Sequence, residues 1–356
     1  MSLSSEALFQ EIARHSSLAT LHEYLGSDLA AVIASMFSPP ASGTGLESAA
    51  EAALPAGLVS DDHPIIAAGR RAVDALQAGA NLTRLSSDEM EGLEAIILLR
   101  GRPALFIQGG SFFGVPNNWA ILNDERRSIE RNIPSVGRIE YAGALKSDWA
   151  GTGFVVAPDV LMTNRHVVAE FKTEEAGGKW QLDPQLQVWV DFQHEVDVDE
   201  HQRVSVVELI GVHPFCDLAL LRLNPGGTDR GICPPSLTLA GSPPSVIAEH
   251  LVYTIGHPGW TADPMEEAHA REIFDGIIGV KRLQPGRLRA LTQAVYELTH
   301  TSSTLPGSSG SPVIDLERHL VLGLHWGGSF RRNNYAIPLW LLYDDPLLVA
   351  AGVAFV

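Results

Sequence analysis

From about residue 130 the chain is a succession of short runs rich in Val, Ile, Leu and Phe, broken by Gly, Pro and Asp. Runs of this length with such boundaries read as β-strands. Six precede a Pro- and Gly-rich stretch at Asn224–Pro244: Arg138–Ala142, Gly153–Ala157, Leu161–Thr163, Gln187–Phe192, Val204–Val212 and Leu218–Leu223. Six follow it: Leu251–Ile255, Ile277–Leu283, Ala290–Leu298, Val313–Ile314, Val321–Trp326 and Tyr335–Ile337. Two sets of six strands with a linker are what two six-stranded barrels require. The expected fold class is therefore an all-β double barrel, barrel 1 about 130–225 and barrel 2 about 245–340. Pro338–Val353 is expected to close the chain as a helix.

The first 115 residues have a different texture. Leu8 and Ile12, then Leu18, Leu21, Leu25 and Leu29, then Val32 and Ile33 recur at helical spacing. A breaker-rich connection, Ser38–Gly45, leads to a second helical stretch carrying Ile65, Ile66, Val73 and Leu76. A third opens at Ser86, with Glu89 three positions on as a capping box requires, and ends at Gly101 and Pro103. The division expected is a mainly helical region over 1–115 and a barrel region over 116–356, with no repeat and no catalytic constellation in the former.

A length of 356 residues fits about two domains. The formal charge of −17 argues against nucleic-acid binding, which needs clustered Lys and Arg. Only Cys216 and Cys233 are present, so no cystine framework supports the core, which fits a reducing compartment. The start lacks a basic segment followed by an apolar run, and no 18 apolar residues run together. A cytoplasmic location is expected, with no membrane partner.

Three words stand out within the strand-rich part: Thr163-Asn164-Arg165-His166, Asp217-Leu218-Ala219-Leu220-Leu221 and Gly307-Ser308-Ser309-Gly310-Ser311-Pro312. They supply an imidazole, a carboxylate and a hydroxyl. A serine hydroxyl must surrender its proton to a base as it attacks a carbonyl, and an imidazole near neutrality can take it. A carboxylate that holds the right tautomer completes the set. Ser309 is the candidate nucleophile, His166 the base and Asp217 the orienting acid. Asp217 follows the histidine by 51 residues and precedes the serine by 92, which sets His166 and Asp217 in one barrel and Ser309 in the other. Gly307 and Gly310 permit a tight turn, and the N–H groups of Gly307 and Ser309 are the candidate oxyanion hole.

Other chemistries find no support. Ser311 stands where an α/β-hydrolase elbow needs glycine, and Pro312-Val313-Ile314 reads as a strand rather than a helix. Neither cysteine belongs to a C-x-x-C pair and there is no H-E-x-x-H, so no zinc site or other metal or cofactor is expected. Asp191, Asp197 and Asp199 lie in an acidic segment expected to be a solvated hairpin.

The His, Asp, Ser order and the words around each residue resemble the chymotrypsin-like superfamily, and within it the bacterial trypsin-like peptidases close to glutamyl endopeptidases. The resemblance covers roughly residues 130–340 and implies a serine endopeptidase. Gly323-Leu324-His325-Trp326-Gly327-Gly328 falls where that family places its substrate-binding strand, so Trp326, Gly327 and Gly328 are expected to pair with substrate backbone. In glutamyl endopeptidases a histidine before the Trp-Gly and a hydroxyl residue five before the nucleophile bind an acidic side chain. Here these positions hold His325 and Thr304, which implies cleavage after Glu or Asp. No Asp or Glu lies within six residues before Ser309, which disfavours a pocket for Lys or Arg. Ser308 replaces the aspartate that captures a freed amine in digestive proteases, so activation by that route is not expected, while the polar stretch 117–131 remains open to cleavage. The rival reading is a catalytically silent adaptor that binds peptides uncut, with residues 1–115 recruiting a regulatory partner.

Overall fold

The computed structural model describes residues 64–77, 84–86, 88–89, 92–93, 102–143, 147–175, 177–224, 226, 233–259, 274, 276–328 and 334–356. The chain divides into two compact units, one holding residues 1–103 with 115–120 and 271–275, the other the remainder. In the first, Pro64–Gln77 forms helix α1, over the second of the helical stretches expected. The Ser86–Glu89 capping box is made: Ser86 N and Oγ donate to Glu89 Oε2 (2.8 and 2.9 Å), and Glu89 N donates to Ser86 Oγ. The first helical stretch lies outside the described residues.

The second unit opens with β1 (Leu105–Gln108) and β2 (Ser111–Phe112), a hairpin turned by Gly109 and Gly110 at positive φ. Two short helices, α2 (Ile121–Asp124) and α3 (Arg126–Asn132), lead into the first barrel. Its strands are β3 (Val136–Gly143), β4 (Ser147–Ala157) and β5 (Val160–Thr163), then, after a short helix α4 (Arg165–Val168) and a hairpin of β6 (Lys172–Glu174) and β7 (Trp180–Leu182), β8 (Leu186–Asp191), β9 (Arg203–Val212) and β10 (Ala219–Asn224). The six barrel strands close in the order β10-β5-β4-β3-β8-β9, all neighbours antiparallel. Closure leaves no unpaired sheet edge. Ile139, Val155, Leu161, Val190, Val204 and Leu221, one from each strand, fill the interior. Each such side chain contributes about 1.5–3 kcal/mol by leaving water.

The second barrel uses β11 (Leu251–Gly256), β12 (Arg282–Thr292), β13 (Glu297–His300), β14 (Pro312–Asp315), β15 (Val321–Gly328) and β16 (Asn334–Pro338). The order β11-β14-β15-β16-β13-β12 closes through the β11–β12 pairing, with Val252, Leu288, Leu298, Val313 and Leu322 inside. Both barrels are thus closed, six-stranded and antiparallel, as the strand count required.

Three details depart from the expectation. Residues 277–283 are mostly not strand and 290–298 is not a single strand: β12 runs from Arg282 through Pro285 and Gly286, which look like breakers in the sequence, to Thr292, and a 3-10 turn at Gln293–Val295 separates it from β13. Gly286 is required there because a Cβ would sit 2.5 Å from Ser302 N, so the strand passes directly over the 301–303 segment. The C-terminal helix is divided into a 3-10 turn at Leu339–Leu342 and a short helix α5 (Pro346–Ala350), broken by Asp345, whose carboxylate caps α5 through the N–H groups of Leu347 and Leu348. Finally, β1 pairs with the start of β12 (Leu105 opposite Leu283), so residues 104–114 lie with the barrels, on the other side of the boundary drawn at 115.

Candidate active site

The register of the first barrel brings His166 and Asp217 together. Thr163, the last residue of β5, pairs with Ala219, the first of β10, so the residues just beyond each strand share one rim. His166 follows on α4, whose N-terminal neighbour Asn164 is buried and donates from Nδ2 to the Asp217 carbonyl (2.8 Å). Asp217 Oδ1 accepts the His166 main-chain N–H at 3.0 Å and Oδ2 lies 2.5 Å from His166 Nδ1. Two contacts to one carboxylate fix both the ring's position and its tautomer, leaving Nε2 as the proton acceptor. Burial alone would raise the Asp217 carboxyl; the bonds from the His166 ring and main chain, with Arg165 nearby, outweigh it and hold it below the ordinary carboxylate value. The imidazole is half exposed, so its far edge faces solvent.

The loop that carries Asp217 has its own support. His213 Nδ1 accepts the N–H groups of Phe215 (3.2 Å) and Cys216 (2.8 Å), which obliges Nε2 to carry the proton and donate to Asp345 Oδ2 at 3.1 Å. The residue that caps the C-terminal helix thereby steadies the loop that carries Asp217. Sequence reading missed His213; its only signal was a histidine four positions before the key aspartate.

Ser309 reaches the same rim from the second barrel. Thr152 of β4 is the joint: its N–H donates to the Ser309 carbonyl (2.8 Å), its hydroxyl donates to the Gly307 carbonyl (2.8 Å) and accepts the His257 N–H (3.1 Å). Gly151 has no room for a side chain, since a Cβ would lie 2.8 Å from Val167 Cγ2 and 3.0 Å from Ser309 O. The Ser309 backbone and the helix bearing His166 therefore both crowd the one face of Gly151 from which a side chain would project. Gly310 is equally constrained: its φ is +90° and a Cβ would stand 1.9 Å from Thr152 O. Gly307 shares that φ and faces the Trp149 ring at 2.3 Å from its would-be Cβ. The N–H groups of Gly307 and Ser309 have no partner among the described residues, as an oxyanion site needs. The Ser309 hydroxyl donates to the Trp326 carbonyl at 3.4 Å rather than to His166. Bonds between a nucleophile and its base commonly tighten only when substrate is bound.

Residues 151–324 match the family described as the trypsin-like peptidase domain. The chain carries a trypsin-like peptidase domain. It is 28% identical over 200 residues to the serine protease Rv3671c of Mycobacterium tuberculosis, covering 55% of this chain and 41% of that protein. It is 26% identical over 191 residues to a glutamyl endopeptidase of Staphylococcus epidermidis, covering 53% and 57% respectively. The chain thus spans well under two thirds of the length of these relatives. A crystal structure of the active form of the Rv3671c protease superposes with a TM-score of 0.42 at 23% identity, covering 66% of this chain and 87% of that one.

In the peptidase domain, Trp326, Gly327 and Gly328 end β15 beyond the reach of β14, whose pairing stops at Leu324. Their other edge pairs with β16 across a bulge at Trp326, whose indole stacks on Tyr335 at 5.4 Å. Gly327 faces open space. His325 is buried, and its Nδ1 lies 3.1 Å from Nε2 of buried His300. Burial, with the charge of His166 nearby, pushes its pKa down to about 3, so the ring is neutral near pH 7. Thr304 donates its hydroxyl to Asn334 Oδ1 at 2.7 Å, and Asn334 Nδ2 donates to the Ser302 carbonyl. Thr304 and His325 are therefore each held by a partner the sequence reading did not name, and no hydrogen bond joins them directly. Both thiols are free; burial raises Cys216 to about 11 and Cys233 to about 12. Among the described residues no helix is long and apolar enough to cross a membrane.

Proposed function

We propose that this chain is a serine endopeptidase that hydrolyses peptide bonds through an acyl-enzyme on Ser309. His166 accepts the serine proton during attack and returns it to the leaving amine. Asp217 holds the imidazole and balances the charge it gains. The Gly307 and Ser309 N–H groups receive the oxyanion, and residues 326–328 hold the substrate backbone as an added strand. The observation that carries this reading is the double contact of Asp217 to His166 on a rim where Gly151 and Thr152 seat the backbone of Ser309.

A preference for Glu, or Asp, before the scissile bond is part of the proposal. It is supported by the neutral His325, backed by His300, near a strand end that also bears the Thr304–Asn334 pair. A neutral imidazole and a hydroxyl are both able to donate to a carboxylate, and no carboxylate precedes Ser309 within six residues to attract a cation. A cytoplasmic site of action and a regulatory or recruiting role for residues 1–115 complete the reading; these rest on cysteine usage and composition. Digestion of a mixed peptide library by the wild type and by Ser309→Ala tests the whole. Cuts after Glu that vanish in the variant are expected. Cuts mainly after Arg or Leu would reject the acidic pocket, and cuts that survive in Ser309→Ala would reject the nucleophile in favour of another group.

A further inference from the structure

The connection between β8 and β9 contains a cluster that the peptidase chemistry does not use. We propose that Asp191, His194 and His201 form a binding site for a divalent transition-metal ion, with zinc the best-matched cation. Asp191 was expected on a solvated hairpin, yet its side chain is fully buried. Its Oδ1 accepts the N–H groups of Gln193 (3.0 Å) and Gln202 (3.2 Å), which turns Oδ2 toward the two imidazoles. Oδ2 lies 2.5 Å from His201 Nδ1 and 3.5 Å from His194 Nδ1. The rings are nearly parallel, 22° apart with centroids separated by 5.6 Å, so both present the same nitrogen to one oxygen.

The second observation is the state of His194. Its Nδ1 is sealed from solvent, and its contact with Asp191 Oδ2, at 3.5 Å, is too long for a well-formed hydrogen bond. A buried polar nitrogen so weakly paired is costly unless something binds it. One oxygen and two nitrogens within 4.8 Å of one another supply three ligands of the type zinc takes. Zinc bonds of about 2.0–2.2 Å in a tetrahedron set ligand atoms about 3.3 Å apart. The Asp191–His194 separation already fits, and the Asp191–His201 pair would open by somewhat less than about 1 Å on the same geometry. The Gln193 and Gln202 amides are the supporting groups that hold a ligating carboxylate in place. The rings are 23% and 36% exposed, which leaves an entry path and room for water as a fourth ligand. Glu195 is not part of the cluster: its Oε2 accepts the Gly110 N–H at 2.9 Å and its Oε1 lies 3.9 Å from the Lys281 ammonium.

Ligation through Nδ1 requires the proton on that nitrogen to leave: an imidazolium releases it to solvent, and a neutral ring shifts to the Nε2–H tautomer. The ion would also fasten more than its own loop. Val196 N donates to Ile107 O in β1, Gly110 N donates to Glu195, and Lys281 N donates to His194 O just before β12. Metal at this point ties the entering hairpin and the start of β12 to the first barrel.

The test uses the full chain with Ser309→Ala, to prevent self-cleavage, stripped with EDTA and titrated with Co²⁺ and then Zn²⁺. One equivalent of Co²⁺ is expected to give the intense visible bands of a four- or five-coordinate ion, bleached by one equivalent of Zn²⁺. Zinc should also raise the melting temperature in a concentration-dependent way. His194→Gln keeps the Asp191–His201 hydrogen bond and should fold normally, yet lose affinity by at least about 100-fold, the upper end of what loss of a supporting group costs. His201→Gln should do the same. A weak, six-coordinate cobalt spectrum, or zinc affinity equal in the wild type and both variants, would overturn the proposal and leave the cluster as a structural ion pair.

Discussion

At the scale of single residues, Asp217 and Gly310 make the sharpest predictions. Asp217→Asn preserves the shape of the side chain but offers the His166 ring an amide, which favours the wrong tautomer. A loss of kcat on the order of 10⁴-fold, with the fold intact by circular dichroism, is expected. Activity within tenfold of the wild type would remove Asp217 from its role. The same residue carries a pH signature. Its folded pKa lies below the ordinary carboxylate value, so its ionised form stabilises the native state above that value, and the contribution is lost as pH falls through the depressed one. Urea melts between pH 5 and pH 3 should therefore show a smaller acid destabilisation in Asp217→Asn than in the wild type. Gly310→Ala adds a methyl group 1.9 Å from a main-chain oxygen at a left-handed φ. It should displace the nucleophile loop and abolish turnover even where the barrels still melt cooperatively.

Among elements, the strands and the triad words were legible because apolar runs and turn residues alternate clearly on either side of Asn224–Pro244. What escaped has a physical cause in each case. β12 runs through Pro285 and Gly286, which propensity rules reject, because the strand must cross the Ser302 backbone at close range. Pro285 is accommodated opposite Tyr253 in the β11 ladder. β1 is only four residues long, and Gly101 and Pro103 before it read as the end of a helix rather than the approach to a strand. His300, Asn334 and Thr152 were invisible because each acts through a partner far away in sequence, and His213, whose distant partner is Asp345, showed only as a histidine close before Asp217. β1 also provides a test of its own. Ile107 is fully buried, so Ile107→Ala should cost about 2–4 kcal/mol in urea unfolding. A change under about 0.5 kcal/mol, the range of surface substitutions, would mean that β1 is not part of the barrel unit.

In the molecule as a whole, the two closed barrels meet through a joint at Thr152 that contains no covalent cross-link. Both thiols are held far above ordinary thiol pKa values, Cys216 by burial and the nearby Asp345 charge, Cys233 by burial and Asp159. At pH 8 the native chain should react slowly with a thiol reagent such as DTNB, and two equivalents should react once it is unfolded. The central claim is that His166 draws the proton from Ser309 across that joint. The most direct measurement is intact-mass and peptide-level mass spectrometry after exposure to a fluorophosphonate. One adduct on Ser309 is expected in the wild type, and its loss in His166→Ala. Labelling of another residue, or Ser309 labelled equally fast without the imidazole, would contradict it.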